Sequence, residues 1–192
     1  MNARNNEIVD KRSAILKATL DLISERGFHN TPMSLIAKTA GVSTGIVYHY
    51  FSGKEELINE LYKEIKLDTF QAMLANYSED LTLRVRFNDI WHNYVRYSIN
   101  HHSRGLFLEQ FENSPYLKHV EGDFSEAVAP FFNLFQQGVQ EGIFIPLSPI
   151  VLFDLSFAPV AALVKRHFAG YIQMDETLIQ AASDACWNAI KV

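Results

Sequence analysis

Apolar residues recur at spacings of three and four along almost the whole chain, and nowhere does a sustained period-two alternation appear. That spacing places them on one face of an α-helix, whereas strands need alternation, so the chain is expected to be all-α. Ile15, Ala18 and Leu22 form the first stripe, widened by Leu16, Leu20 and Ile23, and Gly27 stops it. Thr31-Pro32 reads as an N-cap followed by proline at the first helical position, opening a second helix over 33–39. A short turn, Ala40-Gly41-Val42-Ser43, precedes a third helix over 44–50. Ser52-Gly53-Lys54-Glu55 has the Ser-x-x-Glu capping-box pattern at the head of a longer fourth helix carrying Leu57, Ile58, Leu61 and Ile65. Glycines and prolines then separate five helices, near 80–101, 104–113, 123–141, 148–168 and 175–190. Pro159, inside the fourth of these, is expected to kink or interrupt it.

Composition narrows the class. With 48% apolar residues and 12% aromatics the chain can bury a core unaided. The apolar run Phe157 to Val164 is far too short to cross a bilayer. The opening MNARNNEIVDKR has no apolar stretch of the signal-peptide kind. A lone Cys186 cannot form a disulfide framework within one chain or a thiolate metal site. A soluble, cytoplasmic protein with no membrane association is expected. Charge is uneven: residues 1–54 carry seven basic and four acidic side chains, net +3, while 55–192 carry ten and eighteen, net −8. The first part suits a polyanion and the second would be repelled by it.

Residues 33–51 fit a helix-turn-helix. Two helices meeting at a sharp turn need a small residue at the contact, supplied by Ala37, and a position tolerant of positive φ, supplied by Gly41. Val42 and Val47 supply the apolar plug beneath. At about 100° per residue, Ile46, Val47, Tyr50 and Phe51 fall on one side of the third helix, and Thr44, Gly45, Tyr48 and His49 on the other. The first set anchors the helix, and the second is short, polar or hydrogen-bonding, as a helix laid in a DNA major groove requires. Gly45 marks either close approach of the backbone to nucleic acid or a frayed helix start.

The run Ile15-Leu16, Leu22, Gly27-Phe28, Thr31, Ile36-Ala37, Ala40-Gly41-Val42-Ser43-Thr44-Gly45, Tyr48, Tyr50-Phe51 and Lys54-Glu55-Glu56-Leu57 resembles the N-terminal domain of TetR-family transcriptional regulators. The resemblance covers residues 10–60; beyond it, helical layout and the turn Gly138…Glu141-Gly142-Ile143-Phe144 are similar to many members. It implies a three-helix DNA-binding domain over 1–54, then a larger helical ligand-binding and dimerisation domain over 55–192, with helix 55–76 as connector. It further implies that Thr31 and Lys54 hold DNA phosphates, and that Ser43, Thr44, Gly45, Tyr48 and His49 face the groove, with Tyr48 on a phosphate. His49 stands where the family often has an aromatic residue, so base preference does not transfer. Arg4, Lys11 and Arg12 form either a flexible basic arm or a merely solubilising one.

The resemblance also implies an effector cavity among the middle helices. Its candidate lining is Phe87, Trp91, Tyr94, Phe107, Phe111, Phe131, Phe135 and Phe157, with core packing the alternative for each. Glu109, Glu112 or Asp154 would select a cationic effector if one pointed inward. His101-His102, with His92 and His119, lacks a metal-ligand spacing, so no metal and no cofactor are expected. The apolar helix across 150–164 and the alanine-rich last helix suggest a homodimer through these last two helices, as in the family, with a central core helix in a monomer as the alternative. The expected function is a ligand-responsive regulator, a repressor bound as a dimer to a palindromic double-stranded DNA operator and released by a small, largely apolar effector. The alternatives are a DNA-binding regulator without a ligand, and an enzyme acting on a small apolar molecule. No nucleophile elbow or phosphate-cradling glycine loop supports the enzyme.

Overall fold

The computed structural model describes residues 2–119 and 123–192, and the side chains of 11–118 and 123–192. The side chains of Arg4 and His119 therefore lie outside the described residues. Those described form nine α-helices and no strand: α1 Asn2–Arg26, α2 Met33–Thr39, α3 Thr44–Tyr50, α4 Lys54–Met73, α5 Leu83–Asn100, α6 His102–Glu112, α7 Ser125–Gln140, α8 Pro149–Phe168 and α9 Glu176–Ile190. A 3-10 turn, Pro115–His119, follows α6.

The packing groups these helices into two compact units, which do not coincide with the division at residue 54. The first holds α1, α2, α3, α4 as far as Lys66, and α6 with its 3-10 turn. Its core joins Ile15, Ile23, Ile36, Val47, Phe51, Leu57, Ile58 and Ile65 to Phe107 and Phe111. α6 is held by more than apolar contact: the Gln110 side-chain amide donates to the Ile23 carbonyl at 3.0 Å. Tyr62 stacks on Phe111 with ring centroids 4.2 Å apart.

Two local expectations change here. Pro32, with φ −72 and ψ 155, occupies the N-cap position of α2, and helix begins at Met33. The head of α4 is closed by Glu56 rather than Glu55: its carboxylate accepts from the Ser52 backbone N–H at 2.6 Å and the Ser52 hydroxyl at 2.5 Å. Both bonds favour the ionised form and hold the Glu56 carboxyl below the usual carboxylate range.

The second unit holds α4 from Leu67 onward, α5, α7, α8 and α9. Its core is aromatic. Phe87, Trp91, Phe131, Phe135, Phe144 and Phe157 are buried, and Trp91 Nε1–H donates to the Ser156 carbonyl at 3.1 Å. Gly138, on α7, is the point where the Phe144 ring lies directly against the helix backbone. Pro159 does not interrupt α8, which runs unbroken to Phe168. Pro130 likewise sits inside α7. No helix among the described residues is long and apolar enough to cross a membrane.

Candidate nucleic-acid interface

The first unit's small helices set out one exposed surface. Ile36 and Ala37 on α2 are buried, so that helix is pinned by its inner face. Gly41 follows with φ +70, the left-handed region an L side chain adopts only with strain. The turn keeps its backbone satisfied, with Ala40 N–H on the Ile36 carbonyl at 2.8 Å and Val42 N–H on the Ala37 carbonyl at 3.0 Å. Ser43 then caps α3, its hydroxyl oxygen accepting from the Ile46 N–H at 3.3 Å. Val47 and Phe51 are fully buried beneath α3, and Ile46 and Tyr50 are half-buried beside them.

The other face of α3 is open. Ser43, Thr44, Gly45, Tyr48 and His49 are all exposed, with Tyr48 at 53%. Nothing inside the protein requires glycine at 45: its φ is outside the left-handed region, and an added Cβ would meet only the Ser43 hydroxyl, at 3.8 Å. A glycine inside a helix costs up to about 1 kcal/mol against alanine. Gly45 is the second residue of α3, where that cost is smallest, so both readings, close approach of the backbone to nucleic acid and a frayed helix start, fit its position. The surface can therefore offer two hydroxyls, an imidazole, a phenol and bare backbone to base edges and phosphates.

Thr31 departs from its expected role. It is fully buried, and its hydroxyl donates to the Gly27 carbonyl at 2.8 Å. A phosphate cannot reach that hydroxyl, so Thr31 locks the α1–α2 corner instead. Lys54 is half-buried and Nζ donates to the Phe28 carbonyl, while burial lowers the pKa of its ammonium. An ammonium carries three donors, so two remain for a phosphate. Nor does Arg12 belong to a free arm. Residues 2–26 are helical, and the Arg12 guanidinium pairs with Glu60 at 3.0 Å and Glu64 at 3.5 Å. Sequence spacing missed this tie, because Arg12 and its partners lie on different helices, though Glu60 and Glu64 one turn apart are a visible acidic face.

The candidate effector lining is divided. Phe107 and Phe111 lie in the core of the first unit and take no part in a cavity of the second. Phe87, Trp91, Phe131, Phe135 and Phe157 are at most 2% exposed, and Tyr94 packs half-buried against them. Their rings touch one another: Phe87 stacks on Phe157 at 5.7 Å, and Phe135 meets Phe157 edge-on at 6.1 Å. Glu109, Glu112 and Asp154 are exposed, so none points into an apolar interior.

Comparison with known proteins agrees along the chain. Residues 15–61 match the family described as bacterial regulatory proteins, tetR family, and residues 82–191 match a tetracyclin repressor-like C-terminal domain. The HTH-type transcriptional regulator BetI of Vibrio campbellii is 41% identical over 69 residues, a match spanning 36% of this chain and only 35% of that protein. The HTH-type transcriptional regulator RutR of Escherichia coli K12 is 28% identical over 185 residues, 93% of this chain and 82% of its own. A crystal structure of a TetR family transcription regulator from Marinobacter aquaeolei superposes with a TM-score of 0.89 at 26% identity, covering 100% of this chain and 99% of that one.

Proposed function

The chain belongs to the TetR family of DNA-binding transcriptional regulators, and from that premise we propose that it is a repressor bound as a homodimer to a palindromic operator. Residues 1–54 read the DNA, and residues 55–192 supply dimerisation and effector response. The observation that carries this reading is the joint exposure of Ser43, Thr44, Gly45, Tyr48 and His49 on a helix whose opposite face is anchored by Val47 and Phe51. A short helix held from behind and bare in front enters a major groove without disturbing its own core.

The dimer draws support from α8 and α9. Val151, Leu155, Ala158 and Ala162 form an exposed apolar stripe on α8, and Ala181, Ala185 and Ala189 one on α9. Contiguous apolar surface of this kind is characteristic of an interface, and small residues let helices approach closely. A small effector would act by preferring the conformation that cannot engage both half-sites, since equal affinity for both shifts nothing. The signal would travel along α4, whose residues to Lys66 belong to the first unit and the rest to the second. The close-packed rings around Phe157 favour a second reading, a regulator with no effector in that aromatic core.

Fluorescence anisotropy with DNA from immediately upstream of the gene, against shuffled DNA and across salt concentrations, tests the proposal. Specific binding that survives shuffled competitor is expected. Equal affinity for every fragment of a genomic library overturns it. Within that assay, Lys54→Ala should weaken binding to all sequences and lower the salt slope by about one unit, the signature of one lost phosphate contact. His49→Ala should instead change the ranking of operator variants, by about 1–3 kcal/mol at the affected base pair. An unchanged ranking assigns His49 no part in base readout.

A further inference from the structure

The second unit carries a groove of about 390 Å³ formed where the start of α5 meets the end of α7 and α9. Leu81, Leu83, Ile143 and Trp187 give it apolar walls, and Arg84 and Arg86 line it with positive charge. Trp187 and Leu83 form the border between it and the aromatic core, Trp187 meeting Phe87 edge-on at 5.3 Å, and none of the lining residues is among the candidate effector contacts.

Arg86 is the unusual member. It is 4% exposed, yet no carboxylate among the described residues pairs with it. Nη1 donates to the Tyr77 hydroxyl at 3.2 Å and Nη2 to the side-chain carbonyl of Gln137 at 2.7 Å, both neutral acceptors, and Nε has no acceptor at all. A buried guanidinium without a counter-ion is costly and is retained only where something offsets it. Glu141, which also lines the groove, accepts from the Gln137 amide instead, Nε2 to Oε1 at 2.7 Å. Arg84 is better satisfied: it pairs with Asp184 and lies over the Trp187 ring at 4.9 Å, but its Nη1 is also without an acceptor. The amino terminus of α5, capped by Thr82, opens on the same groove and adds the positive end of an 18-residue helix.

We propose that this groove binds a small apolar molecule bearing a single carboxylate, with Arg86 as its counter-ion. The carboxylate displaces the Gln137 carbonyl from Arg86, exchanging a neutral acceptor for a charged one that forms shorter and stronger hydrogen bonds. The hydrocarbon body lies along Leu83, Ile143 and the Trp187 face. Glu79 and Glu141, exposed at the rim, repel a second negative charge, so the groove selects a monoanion over a phosphate ester. Solvent screens those rim acids, whereas the buried Arg86 acts through a lower dielectric, and the net preference is for an anion. Binding does not depend on the effector reading above; the regulatory consequence of binding does.

Calorimetric titration of the full chain with the straight-chain carboxylates acetate to octanoate and with benzoate, each beside its primary amide, its amine and its phosphate ester, tests the site. At least one carboxylate should saturate, and its amide should bind about tenfold more weakly or worse, the loss expected for a charge-assisted hydrogen bond. Arg86→Met should abolish the preference for acid over amide; replacing a buried charge with an apolar side chain of similar volume often leaves a fold intact. Leu81→Trp fills the groove from the surface, since Leu81 is 39% exposed, and should abolish binding of every series without lowering the melting temperature. Failure of every carboxylate to saturate, equal affinity for acid and amide, or undiminished acid binding in folded Leu81→Trp overturns the site. Operator anisotropy separates the two proposals. A carboxylate that binds without changing operator affinity leaves the site standing and removes its regulatory consequence. Release of operator by a neutral apolar compound, while every carboxylate fails to saturate, overturns the site and leaves the effector reading standing.

Discussion

Gly45→Leu should leave the protein folded and weaken specific operator binding, with a loss of about tenfold to a hundredfold in affinity. The two halves of that expectation come from different observations. The fold should not suffer, because a side chain at 45 meets only the Ser43 hydroxyl oxygen, at 3.8 Å, and glycine there is not needed for its φ. Leucine is the better helix former, so stability should hold or rise by up to about 1 kcal/mol. Operator binding should suffer because residue 45 lies in the first turn of α3, on the exposed face between Thr44 and Tyr48. Intruding bulk between two closely packed surfaces costs about 1–3 kcal/mol, and here the yielding partner would have to be a stiff duplex. Gly45→Ala should fall between wild type and Gly45→Leu. Chemical denaturation beside operator anisotropy reads both halves. Wild-type operator affinity in Gly45→Leu would mean that the glycine marks only the start of a helix.

Gly138→Ala should have the opposite profile, a large loss of stability. An added methyl group would lie 2.9 Å from Phe144 Cγ and nearer still to its Cδ2 and Cε2. The ring cannot swing aside: Phe144 is 1% exposed and meets Trp187 edge-on at 5.0 Å and Phe135 at 5.9 Å. Alanine is intrinsically favoured in a helix by about 1 kcal/mol, and that gain is outweighed by overpacking of about 1–3 kcal/mol or more. Phe144→Leu removes the offending edge, so the double variant should recover part of the loss. The resulting interaction energy between the two sites should exceed about 0.5 kcal/mol in a denaturation cycle, as expected for residues in direct contact. An unchanged denaturation midpoint in Gly138→Ala would refute the packing described for this pair.

Much of this was legible because it is local. The bounds of α2 and α3, the positive φ at Gly41 and the split of α3 into an anchored and an open face follow from chemistry within a few residues of each position. The sequence reading failed where the deciding partner is distant. Phe107 and Phe111 have the same helical spacing as the other aromatics, and nothing near them says that α6 packs on α1. Thr31 matched a family pattern, but its burial depends on how the α1–α2 corner closes. Glu55 and Glu56 are adjacent acids, and which one reaches back to Ser52 depends on where the helix begins, a matter of one residue. Arg86 did leave a trace: it lies on the same stripe as Leu83, Phe87 and Ile90, where a charged residue interrupts an apolar face. Such an interruption identifies a buried charge worth examining but cannot say what answers it.

The separation of duties on α3 has a consequence for how such a protein diversifies. Ser43 aside, whose oxygen closes the helix, the side chains on its open face contribute nothing to the core, so most substitutions there should be nearly neutral for stability. Genetic drift can thus rewrite Thr44, Tyr48 and His49 without a compensating change elsewhere. A duplicated copy can part from its sibling's binding site in single steps, each yielding a folded protein. The same freedom makes this helix a natural place to graft a new DNA preference while keeping the rest of the molecule as it is.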